Sequence, residues 1–109
     1  MGAYLDFIPT IKPGKFQGTM DCFLFQLHPK VSKWQAKEPP PMESGRPGFL
    51  QLALFDNDYF CIGFGGKGPA IRADDQLRKG RTYESETFLN EPLELSNDFE
   101  IANVELIKL

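Results

Sequence analysis

Short apolar runs separated by turn residues dominate the chain, and this pattern predicts many brief strands. The clearest run is Asp21–Leu27, in which Phe23 and Phe25 fall on one face while Cys22 and Leu24 fall on the other. Both faces are therefore largely apolar, which is typical of a strand that is covered on both sides. We expect this strand to be sandwiched between a partner sheet and a covering loop or helix.

A hairpin and several weaker strands complete the pattern. The linker Asp56–Asp58 joins the apolar runs Phe49–Phe55 and Tyr59–Phe64, and short linkers rich in Asp and Asn favour hairpins. The segment Asp74–Gly80 predicts a turn, with at most one helical turn. Many brief strands with Gly and Pro turns indicate a mainly β sandwich or barrel with little helix. The remaining predicted strands are Ala3–Phe7, Val31–Ala36, Ala70–Ala73 and Phe99–Leu109, with a mixed pattern over Tyr83–Leu89.

Length and composition agree with one β-rich domain. The chain has 109 residues, which is the size of a single domain, and ten of them are Phe, a residue enriched in strands. The segment Lys37–Gly48 is polar and rich in Pro and Gly, which predicts a surface loop. It lacks the basic flank of a good polyproline ligand, so a family-specific insertion is the favoured interpretation.

Charge excludes several partner classes. The 12 basic and 15 acidic residues give a net charge of −3, so the chain has no basic surface for phosphates. Nucleic acid is therefore a poor candidate partner, and so is an anionic membrane surface. No run of about 18 apolar residues occurs, so membrane insertion is not expected. The N-terminus also lacks the charged start of a signal peptide, which favours a cytoplasmic location.

The candidates for chemistry are few. Cys22 and Cys61 each lie inside an apolar run, which predicts buried free thiols in a reducing compartment. A metal site is not expected, because the chain has one His and no Cys-x-x-Cys pair. A nucleophilic pair of either thiol with His28 stays open as an alternative, although burial makes a thiol inert.

The glycine-rich segment Gly63–Gly68 matches the spacing of a dinucleotide-binding fingerprint. The helix that such a loop must open is missing, so a bend between two strands is the favoured interpretation. Glu105 shares the strand parity of Ile101 and Ile107, which would place a carboxylate on an apolar face. A buried, hydrogen-bonded acceptor is favoured there, and a β-bulge that turns Glu105 outward is the alternative.

Several motifs resemble, in order, the later part of the TLDc domain family. They cover nearly the whole chain, and their order is more specific than any one of them. Among them are a phenylalanine-rich core ending in Pro, a glycine run, a T-F-x-N motif and a closing F-x-I-x-x-V-E motif. The matching segments are Gly2–Leu5, Phe16–Thr19, Cys22–Pro29, Trp34, Ile62–Gly66, Asp74–Arg81, Thr87–Leu93 and Phe99–Glu105.

The chain also departs from the family's pattern. Ile107 stands where the family usually has Trp, Phe64 and Lys67 interrupt the glycine run, and Glu84–Glu86 replaces a stretch of small residues. The family's N-terminal portion has no counterpart. We therefore expect residues 1–109 to form a single, incomplete TLDc domain, whose open sheet edge would favour self-association.

The resemblance implies a two-sheet antiparallel β-sandwich that acts as a non-catalytic protein-interaction module. The family is associated with resistance to oxidative stress and with binding to the vacuolar proton ATPase, so subunits of this pump are the expected partner, and no cofactor is expected. Two alternatives stay open: a thiol-dependent antioxidant enzyme that uses Cys22 or Cys61, and a ligand-binding sandwich of another family. The expected binding residues are Gly63, Gly65, Gly66, Asp74, Gly80, Arg81 and Glu105.

Overall fold

Strands make up all the regular structure that is described. The computed structural model describes residues 1–28, 30–46, 48–94 and 96–108, and these ranges contain no helix. The strands form two antiparallel sheets, which confirms the predicted mainly β, two-sheet architecture. In chain order they are β1 (Gly2–Tyr4), β2 (Phe16–Gln17), β3 (Phe23–Gln26), β4 (Ser32–Gln35), β5 (Ala53–Phe55), β6 (Tyr59–Ile62), β7 (Ile71–Asp74), β8 (Lys79–Arg81) and β9 (Asp98–Glu100).

The first sheet has the order β1-β3-β4 and presents small and apolar residues to the core. In its register, Leu24 lies between Ala3 and Trp34, and all three belong to or pack against the core. The outer face carries aromatic rings, of which Tyr4 and Phe23 stack with centroids 5.1 Å apart. The apolar residues on both faces of β3 therefore reflect one face that packs in the core and one face that carries aromatic rings.

The second sheet has the order β2-β5-β6-β7-β8-β9, and its strands from β5 onward are neighbours in sequence. The predicted hairpin is β5–β6. Its turn is closed by the amide of Asp56, which donates to the carbonyl oxygen of Tyr59 at 2.9 Å. The Asp56 carboxylate also accepts from the amide of Asn57 at 2.6 Å. These bonds confirm that the polar linker serves as a turn.

The core lies between the facing sides of the two sheets. Ala53 pairs with Ile62 on the inner face of the second sheet, whereas Leu54 and Cys61 pair on its other face. Removing a large side chain such as Leu24 from water contributes about 2 kcal/mol, so a few such residues hold the layers together. The buried members of the core are Cys22, Leu24, Ala36, Leu52, Ala53, Ile62, Ala70 and Phe88.

The predicted turn Asp74–Gly80 is too long, since its last two residues belong to β8. Asp74 closes a tighter turn, because its carbonyl oxygen accepts from the amide of Leu77 at 3.1 Å. Its carboxylate accepts from the amide of Arg78 at 2.9 Å. The chain therefore reverses early, and Gly80 pairs with Ala73 across the ladder.

The predicted final strand Phe99–Leu109 is wrong over most of its length. β9 ends at Glu100, and the amide of Ile101 donates to the carbonyl oxygen of Arg78 at 2.8 Å. No described strand lies beside residues 102–108, so a longer ladder has no partner there. Pro29, Pro47 and Leu109, which belong to predicted segments, lie outside the described residues.

The predicted burial of Glu105 is wrong for the same reason. A strand parity buries a side chain only where the strand pairs and packs, and residues 102–108 do neither. Glu105 is exposed, and the side-chain Nδ2 of Asn103 lies 3.5 Å from its carboxylate. Glu105 is therefore exposed without a bulge, because the described residues form no ladder at this position.

Candidate functional site

A glycine loop, residues 63–68, leads from β6 toward β7 and bends as predicted. Gly66 has a φ of +64° and lies close to the next segment: a Cβ atom there would lie 2.9 Å from the carbonyl oxygen of Glu84. Only Gly meets both demands, positive φ and close backbone approach, without strain. The loop therefore lies directly on residues 82–90, which we call the threonine segment.

Backbone hydrogen bonds join the glycine loop to the threonine segment. The amides of Glu86 and Thr87 donate to the carbonyl oxygen of Phe64 at 2.9 and 3.2 Å. The hydroxyl of Thr87 accepts from the amide of Phe64 at 3.0 Å and donates to the carbonyl oxygen of Gln51 at 2.8 Å. One threonine hydroxyl therefore ties the loop to the chain that enters β5.

Asn90 holds the threonine segment from within. Its Oδ1 accepts from the amide and hydroxyl of Ser85 at 3.1 and 2.6 Å. Its Nδ2 donates to the carbonyl oxygens of Tyr83 and Glu91 at 2.9 and 2.8 Å. Asn90 is only 3% exposed, and the four hydrogen bonds of its side chain stabilise the conformation of the threonine segment in the interior. No polar side-chain atom that is buried in the described residues lacks a partner.

This arrangement presents backbone rather than reactive groups to solvent. Gly65, Gly66 and Lys67 are exposed at the tip of the glycine loop. The ammonium of Lys67 lies 3.4 Å from the carboxylate of Glu84, with both side chains at least half exposed. Such a pair contributes little to stability, so both charges are available to a partner.

A second group of predicted residues lines a charged cleft of about 570 Å³ on β7, β8 and β9. Arg81 donates to the carboxylate of Asp98 at 3.1 Å across its floor. The ring of Phe99 packs against Gly80 on the β8–β9 pair. The residues that line the cleft are Arg72, Asp74, Lys79, Gly80, Arg81, Asp98, Phe99 and Glu100.

The seven predicted binding residues therefore fall in three places. Gly63, Gly65 and Gly66 belong to the glycine loop. The strand β7 follows this loop in sequence and contributes residues to the charged cleft. Glu105 lies apart on the exposed tail of residues 102–108. The cleft takes Asp74, Gly80 and Arg81.

Sequence reasoning missed the buried polar residues that position the loop. Thr82, Ser85, Thr87 and Asn90 are all at least 92% buried, although the mixed pattern over Tyr83–Leu89 predicted no such role. The T-F-x-N motif was the available signal, because its Thr and Asn are two of these four residues.

The thiols are buried and protonated. Burial raises the pKa of Cys22 to about 11, and a hydrogen bond to the Asp6 carboxylate at 3.0 Å adds to this. Burial likewise raises the pKa of Cys61 to about 11, against the opposing influence of Arg72. A thiol with such a pKa holds almost no thiolate at neutral pH, which is the form that reacts.

Asp6 explains why Cys22 stays a hydrogen-bond donor. Burial raises the pKa of Asp6, but hydrogen bonds from Thr19 and Cys22 outweigh it, so the pKa lies below its usual value. Asp6 therefore stays ionised and accepts from the thiol and from the amide and hydroxyl of Thr19. His28 is exposed, and no hydrogen bond among the described residues joins it to either thiol.

Other classes of site find no support in the described ranges. No three His, Cys, Asp or Glu residues among them are grouped so that they could hold a metal ion. The same residues contain no helix that is long and apolar enough to cross a membrane.

The sequence of this chain is similar to a known domain family and to proteins from two organisms. Residues 1–109 match the TLDc domain family. The GTPase-activating protein skywalker of Drosophila melanogaster is 40% identical over 91 residues, which are 82% of this chain and 15% of that protein. Oxidation resistance protein 1 of Yarrowia lipolytica is 32% identical over 107 residues, which are 96% of this chain and 42% of that protein. The chain thus spans less than half the length of these relatives.

Proposed function

Because this chain belongs to the TLDc domain family, we propose that it acts as a protein-binding module without catalytic turnover. The observation that supports this function best is the exposed glycine loop, whose backbone is fixed by the buried bonds of Thr87 and Asn90. A surface that is ordered before binding loses little conformational entropy on association, which favours recognition. Family membership also removes the alternative of a ligand-binding sandwich from another family.

The proposed partner is a subunit in the peripheral part of the vacuolar proton ATPase, met in the cytoplasm. A link to resistance against oxidative stress is part of the same proposal, and one relative carries that property in its name. Skywalker is named for GTPase activation, but the match covers 15% of that protein. We therefore base the proposal on the family's association with the pump.

The state of the thiols argues against the enzymatic alternative. Cys22 and Cys61 are 0% and 3% exposed, and the pKa of each is raised to about 11. Neither has a neighbouring histidine in the described hydrogen bonds that could take its proton. Peroxide consumption by the native chain is therefore not expected.

Retention of pump subunits tests the function. The purified chain is immobilised and incubated with cytosolic extract, and the retained subunits are quantified by mass spectrometry. Lys67→Glu at the tip of the glycine loop should reduce retention about tenfold, the change expected when a contact of about 1.4 kcal/mol is lost. Lys30→Glu makes the same charge change at an exposed position before β4 and should retain the subunits normally.

Two results would contradict the function. Repeated experiments that recover no pump subunit would exclude the proposed partner. Peroxide consumption that disappears in Cys22→Ser or Cys61→Ser would show turnover in place of binding.

A further inference from the structure

We propose that the outer edge of β9 binds an extended, basic segment of a partner protein, which adds a strand to the second sheet. This proposal rests on the protein-binding function and specifies the chemistry of one partner segment. It stands on three observations: the position of β9, the direction of its backbone groups, and the charges on its two faces.

β9 is the last strand of the second sheet, so one of its edges faces away from the ladder. The amides of Thr82 and Ile101 donate across the β8–β9 pair to Asn97 and Arg78, at 2.9 and 2.8 Å. In an antiparallel ladder, the residues that bond toward the partner alternate with residues that point away from it. Phe99 therefore bonds toward β8.

The backbone groups of Asp98 and Glu100 must then point outward. Within the described part of the chain, no hydrogen bond outside the strand ladders uses the amide or carbonyl of either residue. Two amides and two carbonyls spaced along one edge are the template that a further strand recognises. The second sheet consequently offers ladder positions at this edge.

Charge specifies which strand would fit. Asp98 and Glu100 project on the same face of β9, and both are exposed. Arg81 Nε lies 3.1 Å from Oδ1 of Asp98, and both side chains are more than half exposed, so the carboxylate can accept a second cation. Lysine or arginine side chains opposite these two acids would form favourable cross-strand pairs.

The opposite face of β9 favours a different type of residue in the partner segment. There the half-buried ring of Phe99 reaches inward over Gly80 of β8, so this face of the strand is apolar and Phe99 brings no charge to it. An apolar residue between two basic ones would place its side chain next to this ring. The expected partner segment therefore alternates basic and apolar residues.

A second copy of this chain fits the edge poorly. If two β9 strands paired antiparallel with Phe99 at the centre, Asp98 of one copy would face Glu100 of the other. Registers centred on Asp98 or Glu100 would place identical carboxylates opposite each other. Like charges in directly opposed positions destabilise a ladder, so this edge favours a basic partner over self-association. The predicted self-association would have to use another edge.

Synthetic peptides test the proposal on the full chain. The first probe is a blocked peptide that alternates lysine and valine, and the matched probe carries glutamate in place of lysine. Fluorescence anisotropy should show the lysine peptide binding at least tenfold more tightly than the glutamate peptide. Amide resonances of Asp98 and Glu100 should shift on binding more than that of Phe99.

Charge reversal and backbone methylation separate strand addition from general attraction. The double variant Asp98→Lys with Glu100→Lys should reverse the preference between the peptides. The control Glu38→Lys with Glu43→Lys makes the same charge change in the proline-rich loop and should leave the preference unchanged. N-methylation of the lysine peptide at amides that face β9 should abolish binding, and methylation at the alternate amides should not.

Equal binding of both methylated peptides, or an unchanged preference in the double variant, would overturn the proposal and leave an acidic edge that only prevents aggregation. A failure to retain pump subunits would not affect this test, because the peptide-binding experiment uses synthetic peptides of known sequence and no pump subunit. Conversely, retained subunits with no peptide binding would reject the β9 edge and leave the protein-binding function standing.

Discussion

The glycine loop and the C-terminal tail were both expected to bind partners, yet the structure orders them very differently. The loop lies on a segment whose polar side chains, such as Asn90, are buried and fully bonded. The tail carries Leu106 at 84% and Ile107 at 73% exposure and has no described strand beside it. The comparison shows that apolar content alone does not order a segment, whereas a satisfied interior network does.

Loss of the aromatic side chain beneath the loop should have the largest effect. Phe88 is 1% exposed and belongs to the core, so Phe88→Ala should lower the free energy of unfolding by about 4 kcal/mol. Leu89 is its neighbour and is 67% exposed, so Leu89→Ala should change stability by less than about 0.5 kcal/mol. Urea denaturation measures the free energy of unfolding of both variants. Equal effects would show that the buried Phe88 supports the loop no more than the exposed Leu89 does.

Loss of the Asn90 side chain should have the second-largest effect on stability. Asn90→Ala removes four hydrogen bonds in a buried site, and we expect a loss of about 3 kcal/mol in the free energy of unfolding. Asn103→Ala in the exposed tail is the matched control and should be neutral within about 0.5 kcal/mol. A neutral Asn90→Ala would mean that the interior network does not order the loop.

The pH dependence of stability reports on the two buried thiols, Cys22 and Cys61. The pKa of each thiol is raised from 9.0 to about 11 in the folded chain, so folding favours the protonated form. Their contribution is complete below pH 9 and is lost as the pH rises from about 9 to about 11, by about 2 kcal/mol per thiol.

Denaturation curves between pH 7 and 11 measure this loss. The variants Cys22→Ala and Cys61→Ala should each remove about half of the pH dependence, whatever they do to stability at pH 7. Because β6 carries Cys61 and leads into the glycine loop, its labelling in a Cys22→Ala background also reports opening of that region. Fast labelling in native protein would show that the loop region opens as readily as the tail.

Substitution of single glycines should have the smallest effect. Gly66→Ala places a Cβ atom 2.9 Å from the carbonyl oxygen of Glu84 at a φ of +64°. Gly14→Ala meets the same positive φ but finds nothing within 4 Å. Backbone conformation costs about 1 kcal/mol in both cases, and the contact should add about 1 kcal/mol at Gly66 only. Equal changes in melting temperature for Gly66→Ala and Gly14→Ala would show that the threonine segment moves to accommodate the added Cβ atom.

The sequence predicted those elements in which local and tertiary preferences agree. The hairpin around Asp56–Asp58 was correct because its turn chemistry and its flanking apolar runs indicate the same structure. The strand β2 was missed because Phe16–Gln17 is too short to show alternation, and its order comes from pairing with β5. The final strand was extended too far for the converse reason, since strand parity cannot reveal that no neighbour is present.

The sequence indicated candidate positions for the site but not the interior residues that support them. The glycine loop and Arg81 were predicted because Gly and charged residues between apolar runs are typical of turns and surface positions. The interior supports at Thr82 and Ser85 were not, because a buried polar residue and an exposed one look alike in sequence. Their roles follow from which donor meets which acceptor, and that depends on the fold.

The meander of the second sheet has a consequence for how the chain acquires its structure. From β5 to β8 every ladder joins strands that follow each other closely in sequence, so these three pairings close short loops, whereas residues 82–97 separate β8 from β9. The ladder between β2 and β5 instead joins Phe16 to Leu54, which are separated in sequence by β3 and β4 of the first sheet. Since short loops close with less entropic penalty, the meander should nucleate early and β2 should dock late in the folding reaction.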